Sequence, residues 1–144
     1  MDKNSFFSRT MHTPDSPERA RVRDRLREIS RALLPLHRRL IDSAKSDYMF
    51  AYGAPLPNST ELIELLQNDP FFAWLKPFTS VIVDIDEMTR TDFEPADVDA
   101  IVGRVEALLS EQHYIDMLQN DVEVASGHAA LRGALQRLTS GNGR

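Results

Sequence analysis

In the first third of the chain the apolar residues keep an unbroken beat: Val22, Leu26, Ile29, Leu33, Leu36 and Leu40, at spacings of 4, 3, 4, 3 and 4. Alternating threes and fours return a side chain to one face of a 3.6-residue helix, and to neither face of a strand. The beat therefore predicts a long amphipathic helix close to heptad form, continuing through Ala44, Tyr48 and Ala51. Ser16 stands at its N-cap, Pro17 at the first helical position and Glu18 in the first turn, while Gly53, Pro55 and Pro57 stop it. Pro35 lies inside, which predicts a kink near Arg31–Pro35 or two helices in tandem.

The beat recurs downstream. Trp74, Phe78, Val81, Ile85 and Met88 mark a third helix that begins at Asp69-Pro70, with Pro77 kinking or restarting it. Before it, Asn58 and Glu61 at capping-box spacing open a short helix faced by Leu62, Ile63, Leu65 and Leu66. Val98, Ile101, Val105 and Leu108 mark a fourth helix reaching about Leu118. After a break at Asn120-Asp121, Val124, His128, Leu131, Leu135 and Leu138 mark a fifth. The fold class that follows is all-α: an antiparallel four- to five-helix bundle whose long first helix is kinked or broken at Pro35. The 144 residues suit one domain. Residues 1–15 read as a flexible N-terminal arm, 16–139 as the bundle, and 140–144 as a disordered tail.

Composition narrows the chemistry. The chain has no cysteine, so disulfides, thiol catalysis and cysteine-ligated metals are excluded. No apolar run approaches the ~18 residues of a membrane helix, and the opening stretch has no signal-peptide core. A cytoplasmic protein with no membrane partner is the expectation. The net charge of −5 is unevenly spread: residues 17–45 hold nine bases against four acids, and residues 46–144 hold six bases against sixteen acids.

One stretch suggests catalysis. The run VIVDIDEMT, from Val81 to Thr89, resembles the nucleophile motif of the haloacid dehalogenase-type phosphatases, in which a strand ends in Asp-x-Asp-x-Thr. The resemblance implies that Asp84 attacks phosphorus, Asp86 serves as acid and base, and Mg²⁺ bridges to the phosphate. It covers fewer than ten residues and departs from the pattern at Met88, which stands where the family has Thr. The helical beat also passes straight through the run. On a helix Asp84 and Asp86 point ~200° apart and cannot share an ion. Asp86 and Glu87 then face Arg90 at helical spacing. Asp84, beside the apolar stripe, is expected to meet a base of the first helix: His37, Arg38 or Arg39.

The histidines have a similar duality. His37 shares a face with Leu33 and Leu40, His128 occupies a stripe position, and His113 lies between Leu109 and Met117. The chain contains no Glu-x-x-His and no His-x-x-x-His pair, so partly buried, hydrogen-bonded rings are expected, with no metal and no cofactor. A ligand, metal or haem held by His37, Asp84 and His128 in the bundle core is the alternative. On the first helix Arg19, Arg23, Arg27 and Arg31 form a basic face suited to an acidic protein surface. Asp24 and Glu28 interrupt it, and nucleic acid is the third reading.

Two further features bear on partners. As a single helix, residues 17–52 span roughly 54 Å, against about 32 Å for residues 70–90. The first helix should overhang its neighbours, leaving Val22, Leu26, Ile29 and Leu33 to be covered by a second copy in a homodimer. Seven of the eleven aromatics fall between Tyr48 and Phe78. There Tyr48, Tyr52 and Trp74 are candidates for anchoring a ligand or a partner's helix. The expectation from sequence is thus a non-enzymatic interaction or regulatory module.

Overall fold

A computed structural model describes residues 15–142, all of whose regular structure is helical. Six α-helices and one 3-10 helix follow in order: α1 Pro17–Tyr52, α2 Ser59–Asn68, the 3-10 helix Pro70–Leu75, α3 Lys76–Met88, α4 Pro95–Leu109, α5 Gln112–Asn120 and α6 Val122–Asn142.

Most of the helices start where a side chain can satisfy their free amides; α3, which continues from the 3-10 helix at Leu75, has no side-chain cap. Ser16 accepts from the Arg19 amide at 3.1 Å, Asn58 from Glu61 at 3.3 Å and Asp69 from Phe71 at 2.8 Å. Glu111 accepts from Tyr114 at 3.2 Å and so ends the fourth helix at Leu109, earlier than the apolar beat alone suggests. Gly53 closes α1 in the left-handed region, φ 65°, its amide bonded to the Met49 carbonyl at 2.8 Å. α1 is a single helix of 36 residues that runs through Pro35 without interruption. Pro35 is solvent-exposed, so the carbonyl it leaves without an intrahelical partner lies on the wet side. At Pro77 the third helix does restart, passing from 3-10 to α geometry.

The direction of packing is fixed by long-range pairs. His37 meets Thr79 near the start of α3, and Arg23 meets the Met88 carbonyl at its end, so α3 runs antiparallel to α1. Asp84 of α3 meets Arg104 of α4. Asp121, immediately before α6, meets Arg39, and Arg137 of α6 meets Glu28, so this helix also runs antiparallel to α1. α1, α3, α4 and α6 form an up-down-up-down bundle, with α5 packed on α6 and α2 against the 3-10 helix.

The core corrects one expectation. Val22 is 8% exposed, and Leu26, Ile29 and Leu33 are each at 1% or less. They lie in the chain's own core with Phe78, Val81 and Ile85 of α3, Val98 and Ile101 of α4 and Leu131, Leu135 and Leu138 of α6. No apolar stripe is left at this end for a second copy. α1 does outrun its neighbours, but at the other end: its last core residue is Ala44, and no residue of its final two turns is buried.

At the boundaries, Asp15, assigned to the arm, is placed against Arg23, and residues 1–14 lie outside the described residues. α6 continues through residues 140–142, the first part of the assigned tail; residues 143–144 also lie outside the described residues.

α1 and α6 approach closely at Gly127, where an added Cβ would sit 3.1 Å from Leu36 Cδ1 and 3.3 Å from its Cβ. An added Cβ at Gly103, inside α4, meets nothing within 4 Å. Gly103→Ala should therefore raise stability by about 0.5–1 kcal/mol through the unfolded chain's lost freedom. Gly127→Val should lower it by about 1–3 kcal/mol through overpacking. Urea unfolding midpoints of the two variants check this pair; equal shifts would contradict the close approach.

Candidate functional site

The phosphatase-like run is not the end of a strand. Ser80 to Met88 is part of α3, with Val81 and Ile85 turned to the core. Asp86 pairs with Arg90 at 3.0 Å and Glu87 with the same guanidinium at 3.4 Å, as helical spacing predicts. Asp84 meets Arg104 of α4 at 2.7 Å, and not a base of α1. The reason is phase: α4 packs on the flank of α3 that carries Asp84, whereas α1 meets the flank carrying Thr79. Both members of the pair are nearly half exposed, so it is a surface tie between two helices.

The three groups proposed to share a ligand do not converge. His37 Nε2 lies 3.0 Å from Thr79 Oγ1, and burial lowers its basicity. It lines a mostly apolar groove of about 430 Å³ with Ile41, Ile63, Leu66 and Leu75. His128 sits elsewhere, its Nδ1 2.6 Å from the hydroxyl of Tyr114, a side chain with no exposure. Burial pushes that hydroxyl up to about 12. Burial and the nearby Arg132 push His128 down. The hydroxyl and the ring share one hydrogen bond, which either group donates according to the ring's tautomer. Among the described residues no group of three or more potential ligands is placed to hold a metal ion.

The basic face is largely consumed within the chain. Arg23 is 3% exposed. Its Nε and Nη2 donate to Asp15 at 2.7 and 2.9 Å, and its Nη1 donates to the carbonyls of Met88 and Thr91 at 3.1 and 2.8 Å. Its guanidinium also lies 4.9 Å from the Phe93 ring centre. Arg19 covers the same ring at 5.8 Å. Arg27 pairs with Asp24 at 2.8 Å, within its own helix. Arg31 alone of the four stands exposed without a partner among the described residues. Sequence periodicity placed Arg23 on a solvated face, whereas the end of α3 and Phe93 fold over it.

The aromatic residues do assemble. Tyr48 packs edge-on to Phe71 and stacked on Phe72, each at 5.3 Å, and Tyr52 lies 4.6 Å from Tyr48. Trp74 meets Phe78 edge-on at 6.1 Å and stacks on His113 at 5.4 Å with the planes 10° apart. This cluster sits where α1 projects. Beyond it Met49, Phe50 and Tyr52 are 38%, 92% and 61% exposed. The sequence reading counts Phe50 among the clustered aromatics but not among the candidate site residues, although two residues past Tyr48 it falls ~200° from the core stripe. Two hollows with Pro70 in common lie on this side of the fold, and Asp47 of the projecting turns lines one of them. One, of about 350 Å³, is lined by Asp47, Phe71, Trp74, Glu111 and Met117. The other, of about 550 Å³, is lined by Glu61, Glu64, Leu65 and Asp69, and the two meet at Pro70.

Two half-buried histidines predict a pH dependence. A histidine whose folded basicity is lowered leaves the unfolded chain to take up the proton first, so its contribution is complete above about pH 6.5 and is lost as pH falls. The unfolding midpoint should therefore drop between pH 7.5 and pH 5.5. His128→Gln, which keeps an acceptor for Tyr114 but does not titrate, should shrink the drop. An unchanged drop in this variant would assign the effect elsewhere.

No family model, no curated protein and no solved structure matches this chain.

Proposed function

We propose that the chain is a non-enzymatic helical interaction module whose docking surface is the projecting end of α1. One observation carries the reading: the last two turns of that helix hold no buried residue and present Met49, Phe50 and Tyr52 to solvent. A helix gains nothing in its own fold from extending an aromatic side chain into water. Covering a Phe side chain is worth about 1.5–3 kcal/mol, available only when another surface arrives. Aromatic anchors ringed by partly buried neighbours are the usual energetic centres of protein interfaces, and Tyr48, Phe71 and Trp74 supply such a ring.

The other groups that chemistry could use are occupied in holding helices together. Asp84 is tied to Arg104, His128 to Tyr114 and Arg23 to the end of α3. Among the described residues no helix is long and apolar enough to cross a membrane. The partner in this reading is a protein.

The test has two parts. Phe50→Ser should leave the unfolding midpoint within about 0.5 kcal/mol of the parent, because the side chain supports nothing inside the fold. A photo-crosslinking amino acid at position 50 should capture a defined partner in cells, and the same probe at Arg90, on the opposite side of the bundle's length, should not. Equal capture at both positions, or a large loss of stability in Phe50→Ser, would defeat the reading.

A further inference from the structure

The charge around the projecting end is mostly negative, and Lys45, just before it, is paired with Asp42 at 3.8 Å. Between residues 46 and 75 the chain carries Asp47, Glu61, Glu64 and Asp69 and no base. Asp47, Glu61 and Glu64 have no ionic partner among the described residues. Asp47 and Glu111 line one hollow with the apolar Phe71, Trp74 and Met117, while Glu61, Glu64 and Asp69 line the other, and Pro70 lines both. Phe50 stands three residues after Asp47, hence on the same side of α1. The next base, Lys76, lines the groove on the other flank of α2, beside His37.

Resting on the docking reading, the geometry points to a cationic amphipathic helix of a partner protein as the occupant of this surface. Its apolar face lies over Trp74, Phe71 and the Phe50 side chain, and its lysines or arginines flank that contact against Asp47 and Glu111 on one side and Glu61, Glu64 and Asp69 on the other. The apolar contact supplies affinity, while the carboxylates select the sign of the partner and speed its approach. An acidic helix would bring like charges against Asp47, Glu61 and Glu64, which have no ionic partner among the described residues, and a neutral one would leave them unpaired.

The chain's single tryptophan lies in one of the two hollows and reports on its occupation. A designed Leu/Lys helix of about 18 residues, ~27 Å long and free of tryptophan, is titrated into the full chain while Trp74 emission is followed. The expected result is saturable quenching or a blue shift that weakens as salt is raised. Binding should weaken about tenfold in the Asp47→Asn/Glu61→Gln/Glu64→Gln variant. Phe50→Ser should weaken it too, while the Arg90→Gln variant binds as the parent does. The same helix with Glu in place of Lys should not bind. Equal binding of the Leu/Glu helix, or no binding of either, overturns the cationic partner. Crosslinking from position 50 to a non-basic protein would also overturn it while leaving the docking surface in place. A concentration-dependent rise in mass that Phe50→Ser abolishes would give the surface to a second copy, and likewise overturn it.

Discussion

The bundle depends on one carboxylate. Asp121 stands between α5 and α6, and its Oδ1 accepts from the amides of Glu123 and Val124 at 2.9 and 3.2 Å. Its Oδ2 accepts from Ser43 at 2.6 Å and from Arg39 at 2.9 Å. Arg39 first, then Ser43, hold this carboxyl well below the usual carboxylate range. A single side chain therefore starts α6 and fastens that start to the middle of α1. Where α6 begins decides which of its residues face which of α1's. With Asp121 at Arg39, Gly127 comes opposite Leu36, and Arg137 arrives at Glu28. The apolar beats of the two helices would mesh at several offsets, since both repeat in threes and fours. The polar clamp selects one of them.

Arg23 does comparable work at the opposite end. A buried guanidinium is tolerable only when its charge and its donors are met, and here Asp15 supplies both a counter-charge and a bidentate fit. The remaining donors satisfy the carbonyls of Met88 and Thr91, which lie at and just past the end of α3, where the helix has no amides left to offer. The Arg23 side chain thus serves as a C-cap borrowed from another helix. This explains why a stripe that looks like a phosphate-tracking surface in sequence does not become one. Removing one arginine to the interior, and pairing its neighbours with Asp24 and Glu28 of the same helix, leaves little coherent positive surface.

Local rules account for what was legible in the sequence. The beat through Val22–Leu40 and through Trp74–Met88 fixed helices and their inner faces, because burial of one stripe is a property of the helix alone. Asn58, Asp69 and the break at Asn120-Asp121 were readable because a cap is decided within four residues. What escaped depended on which helix arrived at which flank. Asp84 needed α4 rather than α1 beside it. The stripe at Val22–Leu33 needed knowledge that α3, α4 and α6 reach it before any second chain could. Among the site residues, Tyr48, Tyr52 and Trp74 were legible as a cluster through their spacing. His37 and His128 showed as half-buried rings, but nothing in the spacing joined His128 to Tyr114 of another helix.

The overhang and the uneven charge have a common origin. α1 is 36 residues long and α6, its longest partner, has 21. An antiparallel partner clamped at Arg39 and Glu28 runs toward the N-terminal half of α1 and away from its C-terminal half. The basic half is therefore covered, and its arginines find carbonyls and carboxylates across the bundle. The last turns of α1, beyond Ser43, meet the 3-10 helix through Tyr48, Phe71 and Phe72, with α2 packed against that helix and acids beside both. Attraction between the basic third and the acidic remainder thus neutralises one end of the molecule and leaves the other end acidic. Aromatic exposure coincides with that remaining charge because the same clamp determines both.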